Sequence, residues 1–352
     1  MRRLFILAAA AALFAGCSSG GSGSTAASGT NATGTNSPIK LAMVTDVGGL
    51  GDKSFNDSAN RGLQWAKTQL GAQVTVLQSR SVTDYEPNLS TLADQGNDLI
   101  FAIGFLMHDS LNDVAPRYPA THFAIIDSDV DQPNVTSITF REEESSFLAG
   151  VIAGLTTKKN VVAFLGGIES PLIEKFQAGF AAGVESVNPH ATMLVKYTGS
   201  FDDVASGKEY TSVLFDQGAD IVYAAAGKCG LGAIDEAQSR PAGYYVIGVD
   251  SDQDGIAPGK VLTSALKHVD HAVLALAADA SRSDFPRGNL VFGLKEGGVG
   301  LTEMKYTRRY LPAGALATEK AYEKLIVAGK LVVPSTLVQL KAFVPVHLAA
   351  TK

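Results

Sequence analysis

A chain of 352 residues is longer than one hydrophobic core usually serves, about 250–300 residues, so its length allows two lobes or domains. With 46% hydrophobic and 18% charged residues it has ordinary globular composition, which excludes a disordered or fibrous chain. The formal charge of -6 argues against a nucleic acid or other polyanion partner, which would need a basic face.

Residues 1–17 carry Arg2 and Arg3, an apolar run from Leu4 to Phe14, and then Ala15, Gly16 and Cys17. At roughly a dozen apolar residues the run suits a secretory signal and is too short for a stable transmembrane helix. Small residues directly before a cysteine resemble a bacterial lipobox, with Phe14 where leucine is commoner and Leu13 one place early. The expectation is cleavage before Cys17 and lipidation of that residue. Cys229 is then left alone, so no disulfide can form within the chain, and it reads as a small buried residue. Residues 18–37 are Gly, Ser, Ala, Thr and Asn without periodicity, a tether spanning on the order of 25 Å as a flexible coil.

The folded body begins at Pro38. An apolar run, Ile39–Val44, predicts a strand that breaks at Asp46 into a glycine-bearing loop ending in Phe55 and Asn56. That loop reads either as one wall of a site or as a connection whose Phe55 caps the next helix. Spacing predicts a helix over Asn56–Leu70 stopped by Gly71, strands at Val74–Leu77, Leu99–Ile103 and Phe123–Ile126, and a short helix at Asn88–Gln95. A second series starts near Glu143. It has helices over Ser146–Leu155, Pro171–Val187, Ser206–Gln217 and Leu231–Gln238, and strands at Val161–Leu165, Thr192–Tyr197, Asp220–Ala225 and Tyr244–Val249. Val261–Leu266 and the helix Val269–Ser281 read as elements returning between lobes. The pattern predicts an α/β protein of two doubly wound parallel-sheet lobes joined by a hinge. The first would take 38–142 plus about 264–288, the second 143–263 plus about 289–346, and a small ligand would sit in the cleft.

Several chemistries can be set aside. Asp250–Gly255 opens like a calcium loop, but Val261 stands where the closing carboxylate belongs. Gly227-Lys228 is no phosphate loop, because Val222 replaces the first glycine and Cys229 the hydroxyl residue. His268 and His271 lack a third ligand at metal spacing and read as surface or capping residues. Neither G-x-S-x-G nor H-E-x-x-H occurs. The expectation is a protein without metal or cofactor that is not an enzyme.

Read together, T-D-V-G-G-L-G-D-K-S-F-N at 45–56, A-I-I-D at 124–127, E-S-S-F-L-A-G at 144–150 and the glycine-rich helix at 166–183 form an ordered set. Y-T-G-S-F-D-D at 197–203, G-A-D-I-V-Y-A-A-A-G at 218–227 and I-G-V-D-S-D-Q at 247–253 complete it. The set resembles the basic membrane protein family of substrate-binding lipoproteins, which includes purine nucleoside receptors of ABC importers. The resemblance runs from about Lys40 to Pro334; the charged stretch Glu303–Arg309 departs from it. It implies the type I periplasmic-binding-protein fold with three crossovers, and a monomer that binds nucleosides without transforming them. It further implies an extracytoplasmic protein, anchored at the membrane through Cys17, with permease and ATPase subunits as partners.

Carried onto this chain, the resemblance matches the stacking aromatics to Phe55 and Phe201, residue types that cores also take. It matches base-edge hydrogen bonding to Asp127, with Asp46 and Asn56 beside it, and the ribose to Asp250, Lys267 and the backbone near Gly227. Three carboxylates against one lysine would repel a phosphate by a few kcal/mol at intermediate dielectric, which favours a nucleoside over a nucleotide. The alternatives are another metabolite or a sugar on the same fold, or a nucleoside-hydrolysing enzyme.

Overall fold

The computed structural model describes residues 37–348, so the expectations for Cys17 and for residues 1–36 lie outside the described residues. The chain alternates strand and helix. First come β1 (Lys40–Val44), α1 (Phe55–Leu70), β2 (Gln73–Leu77), α2 (Tyr85–Asp94), β3 (Leu99–Ile103), α3 (His108–Val114), β4 (His122–Ile126) and β5 (Val135–Phe140). Next are α4 (Glu142–Thr156), β6 (Val161–Gly166), α5 (Pro171–Val187), β7 (Thr192–Tyr197), α6 (Val204–Asp216), β8 (Ile221–Ala225), α7 (Cys229–Ser239), β9 (Tyr245–Asp250) and β10 (Val261–Lys267). The chain continues with α8 (Val269–Ala280), β11 (Gly288–Phe292), β12 (Val299–Leu301), α9 (Ala315–Val327) and α10 (Leu337–Lys341).

The strands form two sheets, ordered β2-β1-β3-β4-β5-β11 and β7-β6-β8-β9-β10-β12. All neighbours are parallel except β12, which runs antiparallel to β10. The two orders match strand for strand, so each lobe is a doubly wound sheet with its own topological switch point, between β1 and β3 and between β6 and β8. Ligands collect beyond the carboxyl ends of strands at such points. The central strands are buried on both faces, as parallel sheets covered by helices require: Leu41–Val44 and Leu99–Ile103 are wholly inaccessible.

Local signals set the helices. α1 buries Ala59, Leu63 and Ala66 and stops at Gly71, whose φ of 69° few other residues tolerate. The Ser170 hydroxyl caps α5 by accepting from the Ile173 N–H, and Pro171 occupies its first position. α4 and α5 pack backbone to backbone: a Cβ on Gly183 would fall 2.0 Å from the Phe147 carbonyl oxygen.

The chain passes between sheets three times, after Phe140, after Lys267 and after Phe292. The latter two switches fall a few residues beyond those expected at 264 and 288. β10 stays in the second sheet through Lys267, which pairs with Val299, and β11 pairs with β5 through Phe292. No breaker interrupts either run, and where a strand finds its partner is a tertiary choice that composition does not reveal. α9 and α10 cover the second lobe, where Tyr322 and Ile326 join Phe147 and Val151 in one core. Among the described residues no helix is long and apolar enough to cross a membrane.

Candidate functional site

Asp46, Phe55, Asn56, Asp127, Phe201, Gly227, Asp250 and Lys267 all line one cavity at the carboxyl ends of strands from both sheets. Its volume is about 50 Å³. By that measure a water needs about 10–15 Å³, so the cavity is a narrow slot in a closed form rather than an open cleft. Phe55 belongs to the first lobe's core and Phe201 to the second's, and both rings keep an edge on the slot. Phe201 packs against Gly167, where a Cβ would come within 2.2 Å of its ring, and meets Phe105 edge to face at 6.2 Å between centroids.

At the β1 end, Asp46 and Asn56 form one unit. The Asn56 amide donates to Asp46 Oδ1 at 2.7 Å, the Gly48 N–H donates to the same oxygen at 2.9 Å, and the Asp46 N–H donates to Asn56 Oδ1 at 3.2 Å. Asp52 braces the unit by accepting from the Asn56 N–H at 2.7 Å and from its side-chain amide at 3.1 Å. Burial pushes the Asp46 carboxyl up to about 7 against these hydrogen bonds, with Asp52 and Asp127 adding repulsion.

Asp127 stands elsewhere. Its Oδ2 accepts from Lys267 Nζ at 2.6 Å, and Asp250 Oδ1 lies 3.6 Å from the same ammonium. Asp127 directly follows β4 and Asp250 ends the equivalent strand β9, with φ of 68° and 63°, a left-handed turn that aspartate tolerates better than most residues. Each keeps one buried oxygen, Oδ1, that makes no hydrogen bond within the protein. Burial alone disfavours the Lys267 ammonium, but Asp127, Asp250 and Glu142 more than reverse this and hold its pKa above the usual lysine value. The ammonium also lies 4.6 Å from the Phe55 ring centroid, so cation and aromatic wall adjoin.

The two lobes touch around Ser54. Its hydroxyl donates to Asp250 Oδ2 at 2.8 Å, its carbonyl accepts from the Ser251 hydroxyl at 2.9 Å, and the Lys53 carbonyl accepts from the Gln253 amide at 3.1 Å. The calcium-like stretch is thus engaged otherwise, with Asp254 Oδ1 accepting from the Ser264 hydroxyl at 2.7 Å. His268 and His271 stack at 4.8 Å with Asp270 close by, but Asp270 accepts from Arg61 Nε at 2.8 Å and from the His271 N–H at 2.9 Å. A guanidinium beside the group opposes a cation. Cys229 is buried at the start of α7.

Sequence reasoning missed Phe105 and Phe176, which also line the slot. Phe105 follows the β3 end at Gly104 and carries the same strand-end signal as Phe55; Phe176 lies within the expected helix Pro171–Val187 and has no separate signal.

The family described as ABC transporter substrate-binding protein, PnrA-like, matches residues 39–330. The chain is 39% identical to a CD4+ T-cell-stimulating antigen of Listeria monocytogenes, over 84% of this chain and 87% of that protein. It is 38% identical to a protein of Lactococcus lactis named ABC transporter nucleoside-binding protein BmpA, over 94% of this chain and 97% of that one. Among solved structures, a solute-binding protein of an ABC transporter system from Aeropyrum pernix superposes with a TM-score of 0.78 at 30% identity, covering 87% of this chain and 96% of that one.

Proposed function

The chain belongs to the family of PnrA-like ABC transporter substrate-binding proteins, and on that premise we propose that it captures a purine nucleoside in the cleft between its lobes. It works outside the cytoplasm, tethered through a lipid on Cys17, and hands inosine, guanosine or adenosine to a permease powered by ATPase subunits. The observation that carries this reading is one slot lined by Phe55 from one lobe and Phe201 from the other, with Asp127, Lys267 and Asp250 clustered in its wall. The name of the Lactococcus lactis relative agrees with it.

Phe55 and Phe201 would stack on the base, worth about 1–3 kcal/mol per face. The Asp46–Asn56 unit would read the base edge, since the carboxyl can accept from a ring N–H while the amide serves either sense. Asp127 goes with the sugar rather than the base edge, because it shares Lys267 with Asp250. The Oδ1 atoms of the two aspartates can each accept from a ribose hydroxyl, and the ammonium can donate back. Gly227, pressed against Phe201, offers backbone to the same space.

Closure requires the ligand to bind the closed form better, and contacts divided between lobes supply that difference. Replacing Phe55 or Phe201 by alanine should weaken nucleoside binding ~10-fold or more in a calorimetric titration. Dissociation constants unchanged in both variants would contradict the reading. As a receptor, the protein should leave inosine intact on prolonged incubation; release of hypoxanthine would point to a hydrolase.

A further inference from the structure

Lys267 faces carboxylates on two sides. On the slot side are Asp127 and Asp250; outside the slot wall, Glu142 Oε1 lies 3.8 Å from Nζ, an ionic contact beyond hydrogen-bond distance by a buried oxygen that has no other partner. Glu142 opens α4 at the first crossover and its side chain is fully buried. Its Oε2 accepts from Lys175 Nζ at 3.1 Å, and Lys175 also donates to the Phe140 carbonyl at 3.1 Å, at the last residue of β5. A chain of charges therefore runs from the half-buried Lys175 on α5 through the buried Glu142 to the ammonium that faces the slot. Burying an acid between two lysines is costly, and nothing in stacking or base recognition calls for it.

We infer that Glu142, clamped by Lys175, is a positioning residue for Lys267: it draws the ammonium back from Asp250, so that the Oδ1 atoms of Asp127 and Asp250 stay free for ligand hydroxyls. The inference deepens the nucleoside reading and rests on it for the ligand arm of its test. Geometry supports it in two ways. Nζ is within 2.6 Å of Asp127 but stays 3.6 Å from Asp250, and both Oδ1 atoms lack a partner. Without the pull from behind, the ammonium would turn wholly to the two aspartates and compete with the sugar for them.

The arrangement also titrates. Burial raises the Glu142 carboxyl to about 7, with Lys175 and Lys267 opposing and Asp127 assisting. Of the other ionisable groups close by, Glu143 and Arg141 flank it on the chain, and the Tyr223 hydroxyl on β8 feels its charge. Protonating Glu142 removes the rearward pull, so affinity for a ligand with vicinal hydroxyls falls as pH drops through this range. Asp46 titrates in the same range on the base side, so the test must isolate the sugar.

The ligand-free full chain with 15N-labelled lysine side chains gives the first arm. The Lys267 resonance should shift with a midpoint near 7 in the wild type, lose that step in Glu142→Gln, and show it at higher pH in Lys175→Met, where an opposing cation is gone. A step that persists in Glu142→Gln, or none in the wild type, overturns the inference. The second arm compares inosine with 2′,3′-dideoxyinosine at pH 8. Glu142→Gln should narrow the preference for inosine ~10-fold, the scale of one charge-assisted hydrogen bond, while an equal loss on both ligands overturns the positioning role. Should the wild type bind neither compound while the first arm behaves as stated, the nucleoside reading fails and the hold of Glu142 on Lys267 stands.

Discussion

Asp46 is a carboxyl held above its free pKa by burial, and this has consequences for binding and for stability in opposite directions. If the ionised form accepts from a purine N–H, affinity for inosine rises as pH climbs to about 7 and levels off above it. For stability, an acid with a raised folded pKa binds more protons folded than unfolded. Stability therefore declines as pH rises from about 4 to about 7, by up to about 4 kcal/mol for this group, and is level beyond. Asp46→Asn keeps an oxygen that can accept from Gly48 and Asn56 and removes the titration. It should melt above the wild type at pH 8 and level with it at pH 4, while losing inosine affinity; equal melting differences at both pH values would contradict this account. Asp127, just after β4, and Asp250, at the end of β9, are the residue-scale counterpart on the side proposed for the sugar, each with one oxygen engaged and one free.

At the scale of elements, the site depends on close approaches that only glycine permits. Gly167, just beyond β6, gives the Phe201 ring its bed. Gly167→Ala should displace the ring and weaken nucleoside binding as much as Phe201→Ala does, with little change in melting temperature, because the loop can yield at the surface of the slot. Gly183→Ala acts differently, since its Cβ would meet the Phe147 carbonyl on the facing helix. Forcing α4 and α5 apart should cost about 1–3 kcal/mol in denaturant unfolding, and an unchanged midpoint would mean that the two helices separate freely.

The same elements show what the sequence could and could not disclose. Apolar runs such as Leu99–Ile103 and amphipathic ones such as Pro171–Val187 announce themselves, and their ends match the strand and helix seen. β5 carries no clear apolar run because Thr136, Ser137 and Thr139 interrupt its apolar residues, although β-branched threonine suits a strand and the buried Ser137 hydroxyl accepts from the Val130 N–H at 2.9 Å. Phe55, which opens α1 after the β1 loop, and Phe201, in the loop after β7, were legible as aromatics just beyond strand ends. The Lys267–Asp127 pair joins residues 140 apart through a crossover, and no local pattern encodes such a meeting. Nor does the run Glu142-Glu143-Glu144 say which of its acids turns inward to the lysines.

At the scale of the molecule, two repeats of one topology place their strand ends against each other, and the seam carries hydrogen bonds independent of any ligand. Ser54 and Ser251 exchange two of these with the facing lobe, together worth about 1–3 kcal/mol. Removing both hydroxyls in Ser54→Ala with Ser251→Ala should populate the open form, raising the ligand-free radius of gyration in solution scattering, with the compact form restored by saturating nucleoside. A radius unchanged by the double substitution would mean that the seam does not hold the lobes closed. On the proposed function, the carboxylates gathered at this seam also set the charge of the ligand. Asp46, Asp52, Asp127 and Asp250 line the slot against two lysines, Lys228 and the already paired Lys267, so acids outnumber cations there, a field that disfavours phosphate.

Calorimetric titration of protein stripped of bound small molecules, using inosine, guanosine, adenosine and their 5′-monophosphates, puts that claim to the most direct trial. The account predicts saturable one-to-one binding of at least one nucleoside and binding of its monophosphate ~100-fold weaker or more, the penalty expected of a few kcal/mol of repulsion. Absence of binding by all three nucleosides, or a monophosphate that binds more tightly than its parent, would contradict it.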